Sequence, residues 1–176
     1  IGAVNTVLND NGKLIGYNTD GYGFMQSVRD AGHDITGKNI TVMGVGGASM
    51  AICAQSALDG AASVHIFARR TSRYWNRTQK FAENLSAKTG CQVCLFDNDD
   101  HTALRDSIAQ SYLLINATSV GMVPDIDDTI IKDTSLFHPE LVVADVVYEP
   151  QETRLLREAK AAGCQTFNGM YMLLHQ

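Results

Sequence analysis

No apolar run in this sequence approaches the roughly 20 residues that a membrane-spanning helix needs, and nothing near Ile1 resembles a signal peptide. A soluble, cytoplasmic protein is the expectation. Basic charge is scarce too: 14 Lys and Arg against 19 acids leave a net charge of -5, which argues against a broad nucleic-acid footprint. The one notable basic cluster, Arg69, Arg70, Arg73 and Arg77, is short and local. Cysteine supplies no disulfide framework. Cys91 and Cys94 have metal-like spacing, but no second pair or histidine lies near them, so no metal is expected. In "CQVCLF" they read as strand residues facing opposite sides, and all four thiols (with Cys53 and Cys164) are expected to be buried or inert in a reducing compartment. Repeats and low-complexity linkers are absent. The first residue is not Met, which suggests that an upstream portion has been removed or left out.

What the sequence does contain is ordinary globular material, 176 residues with 45% hydrophobic and 19% charged. That is enough for one domain and a fragment of a second. "AVNTVL" and "LIGYN" flank "NDNGK", and its Asn-Gly pair predicts a hairpin over residues 3–17. A helix is expected over 20–31, with Phe24, Val28 and Ala31 on its buried stripe and Gly32 as its stop. Strands then alternate with helices: "ITVM", helix 48–59, "SVHIFA", helix 74–88, "QVCLF", helix 101–109, "YLLINA", "LVVADVVY", helix 151–162, "QTF", and a helical start near Gly169. Continuous apolar strands alternating with helices predict a doubly wound α/β fold on a parallel sheet.

In such a sheet, ligands bind outside the carboxyl ends of the strands. Four polar motifs fall there: "GVGGAS", "RRTSR", "NATSVGM" and "YEP". Gly44, Gly46 and Gly47 suit a tight turn with backbone N–H groups around a diphosphate. Ser49 stands at the usual third glycine, so Ala51 would supply the small helix–sheet contact. A tight turn without ligand is the alternative. After the second strand no acid follows to bond a ribose 2′-hydroxyl, whereas Arg69, Arg70 and Arg73 suit a 2′-phosphate. NADP is therefore expected, against a merely solvated loop. Asn116 and Thr118 could line the cleft or bond their own turn. Tyr148 could reach a ligand or bridge core and water, and Pro150 could open the helix after it. Asp20 could handle a proton or, with Thr19 as N-cap, stabilise a helix start. His65 reads as structural.

Together "AVNT", "YNTDG", "GVGGAS", "NATSVGM", "DVVYEPQETRLL" and "GMYMLLHQ" resemble, in order and over nearly the whole chain, the shikimate dehydrogenases, especially their quinate/shikimate branch. The resemblance implies a substrate domain, with residues 1–19 as a remnant of it, a Rossmann-like domain at 20–167, and the start of a returning helix at 168–176. It implies that Asn5, Asp20, Tyr148 and Gln176 contact substrate, with Asp20 the acidic half of a Lys–Asp catalytic pair. By the same resemblance Gly44, Val45, Gly46, Gly47, Ala48 and Ser49 cradle the diphosphate. Ala68, Arg69, Arg70, Thr71 and Arg73 hold the adenosine ribose, Asn116 and Ser119 approach the cofactor, Val146 lines the nicotinamide side, and Gly169 also contacts cofactor.

The expected reaction interconverts 3-dehydroshikimate and shikimate, with quinate as a further substrate, on NADP with NAD as the alternative. Thr71 stands where the dual-cofactor branch often has Asp. The family's Lys lies upstream of "AVNT", so these 176 residues alone are expected to bind cofactor weakly and turn over negligibly. A homodimer is compatible with the resemblance, and neither nucleic acid nor membrane is expected as a partner. The rival readings are a non-catalytic metabolite-sensing module of the same fold and a methylenetetrahydrofolate dehydrogenase; "YNTDG" and "GMYMLLHQ" speak against the latter.

Overall fold

A computed structural model describes residues 1–176. The chain begins with the expected hairpin, β1 (Thr6–Asp10) and β2 (Lys13–Tyr17), paired from Thr6↔Tyr17 to Asp10↔Lys13. Asn11 and Gly12 make the turn at φ 51° and 91°, the left-handed geometry a two-residue hairpin connection requires. The strand starts at Thr6, later than Ala3, although the Asn5 N–H still donates to the Tyr17 carbonyl at 3.0 Å.

Helix α1 (Asp20–Asp30) follows. Its buried face runs through Gly21, Phe24, Met25 and Val28, spaced at one helical stripe. Ala31, expected on that stripe, is exposed and forms the C-cap ahead of Gly32 at φ 86°. The alternation then proceeds as β3 (Asn39–Met43), α2 (Gly47–Leu58), β4 (Ser63–Ala68), α3 (Trp75–Thr89), β5 (Gln92–Asp97), α4 (His101–Gln110) and β6 (Leu113–Asn116). After a long loop come β7 (Val142–Asp145), α5 (Arg154–Ala161), β8 (Gln165–Phe167) and α6 (Met170–His175).

Six parallel strands form one sheet in the order β5-β4-β3-β6-β7-β8. The chain winds outward from β3 to β5, returns to β6 on the other side of β3, and winds outward again. The loops after β3 and β6 therefore part company at a topological switch point, where a crevice opens. Successive strand residues face opposite layers. Val42, Ile66 and Ile115 join Phe24, Val28, Ile52 and Ala82 under α1, α2 and α3. Met43, Phe67 and Leu114 join Ile108, Phe137 and Leu156 under α4 and α5. Phe24 is wholly buried, and such a side chain contributes about 1.5–3 kcal/mol.

Two boundaries differ from expectation. The apolar run "LVVADVVY" is a strand only to Asp145, whose carboxylate accepts the Val147 N–H at 3.0 Å and turns the chain out of the sheet. Helix α5 starts at Arg154, not near Pro150, because Thr153 is its cap and accepts the Leu156 N–H.

Candidate functional site

The turn after β3 is built from glycines with different duties. Gly44 has φ 112°, and a Cβ there would lie 2.8 Å from the Ala117 carbonyl and 2.9 Å from Thr118 Cγ2. Only glycine lets the β3 and β6 loops pass so closely. Gly46 and Gly47 are exposed, and a Cβ on either would meet nothing within 4 Å. Space is thus open over the first turn of α2, where unpaired N–H groups and the helix dipole favour an anion. Ser49 differs from its expected place in the cradle: it is fully buried, and its hydroxyl donates to the Gly44 carbonyl at 2.6 Å, bracing the turn from behind. Ala51 is buried, and its carbonyl also faces α1, only 2.3 Å from where a Gly21 Cβ would stand.

From this turn a cleft of about 900 Å³ extends along the strand ends, lined by Gly44 to Gly46, Ala68, Arg69, Thr71 to Tyr74, Asn98, Ala117 to Val120 and Ile130. Arg69 and Arg73 line it; Arg70 instead stacks on Trp75, its guanidinium 4.8 Å from the ring centre. Arg73 rests 4.7 Å over Tyr74 and donates to that hydroxyl at 2.6 Å. None of the ion pairs in the molecule uses these three arginines. An acidic chain therefore presents an uncompensated cationic loop to the cleft. On the far wall, the Asn98 N–H donates to Ala68 at 2.9 Å, while its side-chain oxygen is shut off from solvent and accepts nothing.

A second cavity of about 500 Å³ shares Ala117, Thr118 and Ser119 with the cleft and adds Met122, Val123 and Val146 to Glu149. The two form one trough from β4 past β6 to the end of β7. Val146 is half-buried and Tyr148 exposed along it. Gly169 does not open onto this space: a Cβ there would stand 2.1 Å from the Val146 carbonyl, so it seats the start of α6 on the β7 loop. Asn116, expected near the cofactor, is wholly buried behind the wall. Its amide donates to Asp145 at 3.0 Å and to the Val120 carbonyl at 3.1 Å, and its oxygen accepts the Thr118 N–H and hydroxyl. Asp145 also accepts from Thr153 at 2.7 Å. Burial pushes the Asp145 carboxyl up to about 6, against the pull of these hydrogen bonds.

At the start of α1 the two Asn-Thr pairs meet. The Asn5 amide donates to Thr19 Oγ1 at 2.9 Å and to Asp20 Oδ1 at 2.7 Å, and its oxygen accepts the Thr19 N–H at 3.1 Å. Thr19 consequently makes no side-chain cap for α1, contrary to expectation. Helix α6 crosses one turn further on, where a Gly23 Cβ would lie 2.8 Å from the Met172 carbonyl and 3.3 Å from Gln176 Cγ. So Asn5, Asp20 and Gln176 gather around one helix end. Elsewhere His65 bonds Ser107 at 2.9 Å, with burial lowering its pKa; Cys53, Cys91 and Cys164 are buried, Cys94 is half-buried, and burial raises the Cys53 thiol to about 12.

Known proteins with this arrangement are close in sequence. A shikimate dehydrogenase (NADP(+)) of Listeria innocua is 49% identical over all 176 residues. Over its whole length the chain is similar to shikimate dehydrogenases. It spans about 60% of that relative's length. A quinate/shikimate dehydrogenase of Escherichia coli is 42% identical over the same 176 residues, which make up 61% of it. The crystal structure of a shikimate 5-dehydrogenase from Listeria monocytogenes in complex with shikimate and NAD superposes with a TM-score of 0.94 at 48% identity, covering 99% of this chain and 60% of that one. No family model matches the chain.

Several residues that shape the trough were not singled out from sequence. Asp145 had a signal: an acid inside a continuous apolar strand implies a buried, hydrogen-bonded carboxylate. Gly21 and Gly23 had one as well, since two glycines inside a helical pattern point to close backbone packing. Asn98 had none, because a polar residue at a strand end is unremarkable.

Proposed function

We propose that this chain carries the cofactor site and part of the substrate site of a shikimate 5-dehydrogenase that uses NADP, with NAD as the weaker alternative, to interconvert 3-dehydroshikimate and shikimate. Residues 20–167 would form the dinucleotide-binding unit, with 1–19 and 168–176 belonging to the substrate side. The observation that carries the reading is the trough itself. Unpaired arginines after β4, open glycines after β3 and an apolar end wall after β6 and β7 follow one another along a single row of strand ends, the order of 2′-phosphate, diphosphate and nicotinamide in the cofactor. The relatives named above support the choice of substrate.

When bound, the nicotinamide supplies or accepts the hydride. The rest falls to protein groups. The Gly46 and Gly47 region receives the diphosphate at the start of α2. Arg69 and Arg73 pair with the 2′-phosphate, which a guanidinium grips in two places at once. Ala117 to Ser119 and Val146 wall the reactive ring and exclude water, while Asn5, Tyr148 and Gln176 hold substrate hydroxyls. Asp20 has one carboxylate oxygen fixed by Asn5. Its other oxygen is left to orient a cationic proton donor, expected from the family resemblance to be a lysine, so that the substrate oxygen gains or loses its proton as the hydride moves.

The test is an assay of the protein to which this sequence belongs, following NADPH oxidation at saturating 3-dehydroshikimate, with dehydroquinate run beside it. Turnover should depend on shikimate-type substrate, and Asp20→Asn should lower kcat by about 10²–10⁴-fold while leaving NADPH affinity intact. Absence of turnover with either substrate would refute the activity.

A further inference from the structure

Asn98 stands out as a polar side chain on the cleft that nothing else in the fold explains. It follows the last residue of β5, which lies in register with Ala68, so it sits one strand outward from Arg69 on the same rim. Its backbone is tied down by the bond to Ala68, yet its buried carbonyl oxygen has no donor. Native proteins rarely leave such an acceptor unmet. Ile130, half-buried, also lines the cleft and offers an apolar surface on which a flat ring can rest.

Resting on the cofactor reading above, we propose that Asn98 reads the adenine of the dinucleotide, accepting from the exocyclic 6-amino group and donating to ring N7. The position fits. With the 2′-phosphate at Arg69 and Arg73, the base extends along the sheet edge toward β5, the side on which Asn98 and Ile130 form the walls. The chemistry fits as well. A carboxamide matches that edge of adenine donor-for-acceptor, and this pairing is the one by which Asn and Gln recognise adenine in the major groove of DNA. Turning the amide about its Cβ–Cγ bond, a torsion with broad minima, brings its polar edge to the cleft. Asn98 is thereby a specificity residue for the base, separate from the arginines that select the phosphate.

The test uses the protein to which this sequence belongs, with NADP and with its hypoxanthine analogue, in which the 6-amino donor is replaced by a carbonyl acceptor. Wild type should bind NADP roughly tenfold more tightly than the analogue, the scale of a base-edge contact. Asn98→Ala should bind both at the analogue's affinity, with an unchanged or higher melting temperature because the oxygen it removes has no partner. Asn98→Asp, which keeps the acceptor but sets a carboxylate against N7, should bind NADP more weakly than wild type. A wild type that fails to discriminate, or an Asn98→Ala variant that still does, would overturn the proposal. Failure of wild type to bind either nucleotide would instead strike the cofactor reading itself.

Discussion

Asn116, the last residue of β6, and Ser119, in the loop after it, lie three residues apart, yet one faces inward and the other outward. Asn116 is sealed behind the trough with Asp145, Thr118 and Thr153, every polar atom of its amide committed. Ser119 is exposed at the junction of the two cavities, near a loop whose arginines have no acid to pair with. The same contrast separates the glycines. Gly21 and Gly169 have backbone carbonyls about 2 Å from a would-be Cβ, while Gly46 and Gly47 have nothing within 4 Å. Back-wall residues have their polar atoms and space filled; front residues face open space. Satisfaction, not residue type, tells the two apart.

Substitutions that cross from one side to the other sharpen that contrast. The largest effect is expected from Gly169→Ala, whose Cβ would sit 2.1 Å from the Val146 carbonyl. Because backbone must move, it should cost about 3 kcal/mol or more in denaturant unfolding. Gly46→Ala should do the reverse: its φ of -77° and ψ of -176° suit any residue. Stability should change by under about 1 kcal/mol, while NADP affinity measured by calorimetry falls at least tenfold, about 1.4 kcal/mol, as the methyl enters the space for the diphosphate. If Gly46→Ala bound normally, the front would not be a cradle.

A further effect should come from the back wall through pH. The Asp145 carboxyl titrates at about 6 in the folded protein against an ordinary 3.8. The folded state therefore holds this proton more tightly than the unfolded chain does. The associated stabilisation is complete below about pH 4 and is lost as pH rises through about 6, a change of about 3 kcal/mol for a shift of that size. Asp145→Asn should flatten that part of the stability–pH curve, and an unaltered curve would mean that the carboxyl is not desolvated as its burial implies.

Much of the fold was legible because its cues are local. Period and apolar runs marked each strand and helix to within a few residues, and Asn11-Gly12 marked the hairpin. The errors were long-range. Thr19 reads as a helix cap until Asn5, fourteen residues earlier, is seen to take its hydroxyl. The run through Tyr148 reads as strand until Asp145 bonds forward to Val147 and Thr153. Ser49 and Asn116 read as cofactor contacts because the sequence gives their place along the strand-end rim but not which way they point. Arg69, Arg73, Gly44 and Gly46 line the trough, since a loop directly after a parallel strand opens onto the strand-end rim, while Arg70 turns aside to Trp75.

On the proposed reading, a 2′-phosphorylated dinucleotide lies along this trough with Arg69 and Arg73 at its phosphate. Titrating the chain with NADP and with NAD, as wild type and as Arg69→Ala with Arg73→Ala, tests it most directly. Wild type should prefer NADP, and the double variant should lose at least tenfold in NADP affinity, the scale of a charge-assisted bidentate contact, while NAD affinity stays within about twofold. Equal losses for both nucleotides, or no loss for NADP, would contradict it.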